Sequence, residues 1–209
     1  MTDARVERAA SYYAARLEAF GPTPRGVDWN SAESQALRFG ELLRVGEAES
    51  ALDVNDYGCG YGALVDYLAD VDGRPFTYAG YDAADTMIEA ARQRYAGRGN
   101  CTFTSARAAC VVRDYTVASG IFNVKLDADP ADWWAYVQEV LDDLASLSRK
   151  GFAFNVLTGY SDADKRRADL FYADPAVILD HCVRRFSRRV AILHDYPLYE
   201  FTALVRLQE

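Results

Sequence analysis

Apolar positions along this chain change period near residue 50, from a helical repeat to a two-residue repeat. Over 3–19, Val6, Ala10, Tyr13 and Leu17 recur on one face, which predicts an amphipathic helix. The run "GPTPRG" ends it. A second helix is expected over "SAESQALRFGELLRV" (31–45), with Asn30 as cap and Glu33 three residues on, the spacing of a capping box. Beyond it, seven short runs read as strands: 51–58, 76–82, 101–105, 115–122, 151–157, 189–195 and 200–207. Helices fit between several of them. They are "GALVDYLAD", "ADTMIEAARQRY" with Gly97 just past its end, "DPADWWAYVQEVLDDLASL" and "DPAVILDHCVRRF". The last two open with Asp129–Pro130 and Asp174–Pro175, a cap followed by proline at the first helical position.

Alternation of strand and helix with short connections predicts an α/β fold built on a doubly wound, mostly parallel sheet. Only "YPLY" (196–199) separates the last two strands, too short for a parallel crossover, so these two should form an antiparallel hairpin. The expected sheet has seven strands, the last running against the rest, with a helical extension ahead of it.

Composition narrows the functional classes. The chain has 209 residues, half of them apolar, enough for one α/β domain or two small ones. A net charge of −8 and a pI near 4.9 weigh against a nucleic-acid partner, which needs a basic face. The local runs "KRR" (165–167) and "VRRFSRR" (183–189) read as solvated charge. Cys59, Cys101, Cys110 and Cys182 form no CxxC pair and have no histidine at ligand spacing, so no metal site is expected. No apolar run reaches membrane-spanning length, and the first residues lack a signal-peptide core. The cytoplasm, with reduced thiols, is the expected compartment.

Candidate chemistry concentrates in "DVNDYGCGYGALVDYL" (53–68). "GCGYGA" fits G-x-G-x-x-A, and Asp82 stands 20 residues past Gly62, where a ribose-binding acid belongs. A nicotinamide-dependent oxidoreductase is therefore permitted. Asp56 argues against it, because a fixed negative charge ahead of the turn repels a pyrophosphate and attracts a cationic ligand such as S-adenosylmethionine.

"DYGCGYG" (56–62) resembles the first motif of the class I S-adenosylmethionine-dependent methyltransferases, and "YAGYDAADTMIEAA" (78–91) resembles their second. The strand count and terminal hairpin are also similar, so the resemblance covers about 50–208. It implies that Asp56 accepts the methionine ammonium, that Gly58 and Gly60 let the backbone approach the methionine part, and that Asp82 binds the ribose hydroxyls. Ala83 and Met87 would pack near the adenine. Cys59 would line the cofactor as a packing residue without chemistry of its own. Members often carry an acid after strand three; here "TFTSARAAC" offers Ser105 and Ala106, so adenine recognition falls to Ala106 by backbone and packing. Ser119, at the end of strand four, also falls on the cofactor side. "ASGIFN" (118–123) departs from the proline-rich motif of nucleic-acid amino methylases. The implied division is 1–48 as helical extension or lid and 49–209 as the Rossmann-like cofactor domain.

Ligands in open α/β sheets sit beyond the carboxyl ends of the strands. That edge supplies the acceptor candidates Asn155, Tyr160 and Tyr196, with Tyr13 and Trp29 contributed by the lid. Tyr12, Phe171 and Tyr172 fall in the same regions. Methyl transfer mainly requires positioning of the nucleophile. If a base is needed, His194 is the candidate, with Asp195 as assistant or substitute; the competing role for "HDYP" is to shape the hairpin turn. Asn123 could orient the acceptor or cap a loop, and the same choice holds for Asn155. His181, mid-helix, reads as structural. The leading expectation is a methyltransferase acting on a small-molecule acceptor. The alternatives are an NAD(P)-dependent oxidoreductase and a non-catalytic S-adenosylmethionine-binding protein.

Overall fold

The two-residue runs assemble into one seven-stranded sheet in the computed structural model, which describes residues 4–29 and 31–207. The strands are β1 (Leu52–Tyr57), β2 (Phe76–Tyr81), β3 (Cys101–Thr104), β4 (Arg113–Ala118), β5 (Ser148–Leu157), β6 (Val190–Leu193) and β7 (Glu200–Arg206). Their order is β3-β2-β1-β4-β5-β7-β6. Every pairing is parallel except those of β7, which runs antiparallel to both β5 and β6. The hairpin expected from the short 196–199 link is present, with β7 wedged between its partner and β5.

Helices α1 (Ala4–Phe20), α2 (Ala32–Leu43), α3 (Ala63–Tyr67), α4 (Asp85–Arg94), α5 (Pro130–Ser146) and α6 (Pro175–Arg185) surround the sheet. Asp129 and Asp174 cap α5 and α6 as expected, each accepting a backbone N–H two residues on at 2.8 Å. The cap of α2 is Ser31, whose hydroxyl accepts the Ser34 N–H at 3.1 Å; the expected cap, Asn30, lies outside the described residues. The helix after the glycines is shorter than its pattern suggests, because a π-helical turn, Leu68–Asp72, replaces its last part. β4 stops at Ala118 rather than continuing to 122, since Gly120 turns the chain at φ +73°. The 105–112 crossover to β4 holds only a 3₁₀ turn, Arg107–Ala109, pinned where Asn55 Nδ2 donates to the Val111 carbonyl at 2.9 Å.

Alternation along β5 and β7 divides the core into two layers. Ala153 and Leu204 face a cluster that includes Val54, Tyr78 and Val117 under Phe39, Leu42 and Leu43 of α2 and Leu64 and Val65 of α3. Phe152, Phe154, Ala203 and Val205 face the other way, onto Trp133, Val137, Leu141 and Leu144 of α5 and Ile178 and Cys182 of α6. The part of the chain ahead of β1 is thereby split. α2 is built into the first layer, whereas α1 and the 3₁₀ turn Pro24–Val27 lie outside both clusters.

Leu144 is fully buried between α5 and the sheet. Leu144→Ala should lower the free energy of unfolding in urea by about 2–5 kcal/mol, the range for emptying a core leucine site. A loss within the error of the extrapolation would contradict the packing described.

Candidate active site

β1 runs straight into the glycine turn, and the end of β2 holds that turn in place. The Gly58 and Cys59 amides both donate to the Tyr81 carbonyl, at 2.7 and 2.9 Å. Asp82, the next residue, accepts the Gly60 N–H on Oδ2 and the Ala84 N–H on Oδ1, each at 2.9 Å. One carboxylate thus fastens the turn after β1 to the entry of α4. Gly58 has φ +80°, and a Cβ there would stand 2.3 Å from Ile121 Cγ2, so neither the conformation nor the space admits another residue. The turn lies at the carboxyl end of β1 beside β4, where the strand order reverses and α/β sheets open a crevice.

A cavity of about 980 Å³, counting the space open to solvent at its mouth, occupies this crevice. Its floor is the glycine turn, and Val6, Ala9, Ala10 and Tyr13 of α1 cover it from above. Among the described residues that line it, two carry charged side chains, Asp56 and Asp82. Asp56 is 3% exposed and its Oδ2 accepts the Tyr78 hydroxyl at 2.8 Å. Burial pushes its carboxyl up to about 7; the Tyr78 hydrogen bond opposes the shift and the Asp82 charge adds to it. Burial also raises Asp82, against the two backbone N–H groups that favour its ionised form. The Cys59 thiol is pushed up by burial and by both carboxylates, which keeps it a thiol and suits a packing role. Ser119 Oγ is buried and has no hydrogen-bond partner.

Ten of the residues singled out in the sequence line this one cavity: Tyr13, Trp29, Asp56, Gly58, Cys59, Gly60, Asp82, Ala83, Met87 and Ser119. Six others do not. His194 is exposed just beyond β6, with β7, β5 and β4 between it and the turn, and its ring neighbours are Tyr160 and Phe201. Tyr160 is 74% exposed. Tyr196 is buried, its hydroxyl paired with Thr202 Oγ1 at 2.9 Å. Asn123 is buried and its Oδ1 accepts the Leu157 N–H at 3.2 Å, a loop-bracing role. Asn155 is fully buried and its Oδ1 accepts the Gly120 N–H at 2.6 Å. Ala106 is exposed ahead of the 3₁₀ turn. The expected placement of these six at the site is corrected: their side chains brace loops or face solvent elsewhere on the sheet. Sequence reasoning missed Gln35, Ile121 and Tyr136, which reach the cavity from α2, the β4–α5 loop and α5. Gly120 carried a usable signal, a lone glycine inside the run read as a strand.

Comparison with known proteins agrees with this geometry. A family model described as a methyltransferase domain matches residues 54–150. A curated protein of Mycobacterium tuberculosis (strain ATCC 25618 / H37Rv), named "Putative methyltransferase Rv1506c", is 51% identical over 164 residues, covering 78% of this chain and 98% of that protein. The chain belongs to the class I S-adenosylmethionine-dependent methyltransferases. Solved methyltransferase structures share the fold of this one. The DhpI–SAH complex superposes with a TM-score of 0.65 at 17% identity, covering 100% of both chains. The N-methyltransferase NodS from Bradyrhizobium japonicum WM9, in complex with S-adenosyl-L-homocysteine, superposes at 0.61 with 16% identity, covering 99% of this chain and 100% of that one. These matches give the oxidoreductase alternative no support. No helix among the described residues of this methyltransferase is long and apolar enough to cross a membrane.

Asp56 makes the stability of the ligand-free enzyme depend on pH. Its carboxyl titrates near 3.8 when exposed and about 7 when folded, so between these values the native state binds the extra proton. Stability should therefore fall as pH rises from about 4 to about 7, by no more than about 4 kcal/mol from this group. Asp56→Asn should flatten that slope in urea melts across the window. An unchanged slope in the variant would place the titration elsewhere.

Proposed function

We propose that the crevice beside the glycine turn binds S-adenosylmethionine and presents its methyl group to a small-molecule acceptor. The observation that carries this reading is the gathering of Asp56, Gly58, Gly60, Asp82 and Ser119 in one cavity. S-adenosylmethionine supplies, when bound, a sulfonium methyl whose departure leaves a neutral thioether. The chain's own groups suit such a ligand. Asp56, poised near neutrality by burial, is returned to its ionised form by an ammonium placed beside it. Gly58 and Gly60 leave room for the ligand to lie against the backbone. Both oxygens of Asp82 already accept an N–H, and each keeps a further lone pair for a ribose hydroxyl. Ala83 and Met87 offer apolar surface for the adenine, and Cys59 packs beneath. The unpartnered Ser119 hydroxyl is a buried polar group that a ligand would satisfy.

The acceptor side is defined by Tyr13, Trp29, Ile121 and Tyr136. In this reading Asp56 and Asp82 are engaged by the cofactor, and the protein's main contribution on the acceptor side is to position the nucleophile. His194 has no part in this reading. Residues 4–29 act as the lid, and α2 belongs with the cofactor domain because Phe39, Leu42 and Leu43 share its core. An acidic chain whose cavity lies beneath a helix suits a small molecule better than a nucleic acid. Four unpaired cysteines fit the cytoplasm.

Titration calorimetry with S-adenosylhomocysteine should give a dissociation constant of micromolar order. Asp82→Ala should weaken it about tenfold or more, since it loses both the hydroxyl acceptor and the anchor of the Gly60 amide. Asp56→Asn should weaken S-adenosylmethionine by a similar factor. Absence of heat with either ligand would refute the cofactor assignment. Incubation of cell extract fractions with methyl-labelled S-adenosylmethionine should place label in the small-molecule fraction, and label in nucleic acid instead would refute the acceptor class.

A further inference from the structure

Trp29 touches two parts of the chain that are distant in sequence. The Arg38 guanidinium of α2 stands 4.0 Å from its ring centroid. The indole also borders Gly120, so closely that a Cβ there would lie 2.3 Å from its outer carbon. Arg38 Nε donates to Glu200 Oε2 of β7 at 2.8 Å, an ion pair whose carboxylate is fully buried. Asn155 Nδ2 of β5 donates to Glu200 Oε1 at 3.4 Å, and Asn155 Oδ1 accepts the Gly120 N–H at 2.6 Å. The contacts close on themselves: Trp29, Arg38, Glu200, Asn155, Gly120 and back to Trp29.

This ring joins the lid to the sheet. Val27, two residues ahead of Trp29, sits over the glycine turn: a Cβ on Gly60 would stand 3.0 Å from Val27 Cγ1. Val27, Trp29, Gly60 and Gly120 all line the cavity. Apolar residues of similar volume often stabilise a core as well as a buried ion pair does. Here its geometry has a specific result. Glu200 orients Arg38 on one side and Asn155 on the other, and those two hold the indole and the backbone it rests against.

We infer that Arg38, Glu200 and Asn155 are positioning residues that latch residues 27–29 over the glycine turn, so that cofactor enters and leaves only when the latch opens. The inference rests on the cofactor reading above. Gly120, at φ +73° and without a Cβ, is the seat of the indole. Its amide is held by Asn155 rather than left to solvent, which keeps the seat in register with β5.

The test uses Arg38→Met/Glu200→Gln, which removes both charges together and leaves none stranded in the core. Hydrogen exchange over residues 22–29 of the ligand-free variant should be about tenfold faster than in the wild type, with the thermal midpoint little changed. S-adenosylhomocysteine should dissociate about fivefold faster or more in stopped flow. Trp29→Leu, which leaves the ion pair intact, should reproduce both changes, and it decides the matter if the double variant does not fold. Unchanged exchange would overturn the latch. Faster exchange with unchanged release would overturn its role in cofactor exchange. Wild-type protein that binds no S-adenosylhomocysteine would refute the cofactor reading instead, while exchange, measured without ligand, still judges the latch.

Discussion

The Asp82 carboxylate is the constraint on which the site depends. Its two oxygens take the Gly60 and Ala84 amides, so the turn after β1 and the start of α4 cannot move independently. The Tyr81 carbonyl adds two more amides from the same turn. A glycine-rich segment would otherwise be among the most mobile parts of the chain. Fixed in this way from β2, it becomes a rigid floor. Preorganisation of that kind suits a reaction in which the protein contributes chiefly by alignment.

Charge gives the floor its selectivity. Two carboxylates share a cavity with no lysine, arginine or histidine among its described lining residues, and both are raised by burial. Burial disfavours the charged form of each carboxyl, and a positively charged ligand beside them would favour it. In the reading proposed above, the preference for a cationic ligand over a diphosphate is assigned to the buried Asp56 carboxylate.

The glycine-turn side of the cavity was legible because its residues are local: Asp56 to Asp82 spans one β-α-β unit, and the spacing alone brings those residues together. Strand count, strand direction and the hairpin were legible for similar reasons, in the two-residue alternation and the short link at 196–199. The acceptor half was not. Knowing that a residue sits at a carboxyl edge does not say how far along that edge it lies. His194 follows β6, four strands from β1, and at about 4.8 Å per strand this is nearly 20 Å. Asn155 was read as an edge residue, yet it turns inward to Gly120 and Glu200, partners no periodicity could indicate; Arg38 and Glu200 are 162 positions apart. Boundaries failed where one glycine decided them, as at Gly120.

The position of β7 has a consequence for how the molecule is made. It is the seventh strand to leave the ribosome, yet it lies inside its half of the sheet, between β5 and β6. Until it arrives, β5 presents a full row of unpaired amides and carbonyls beside Phe152 and Phe154, an open template for another nascent chain. Closing that edge also delivers Glu200 to Arg38. Protection from aggregation and completion of the lid's anchorage are thus achieved by the same late event during synthesis.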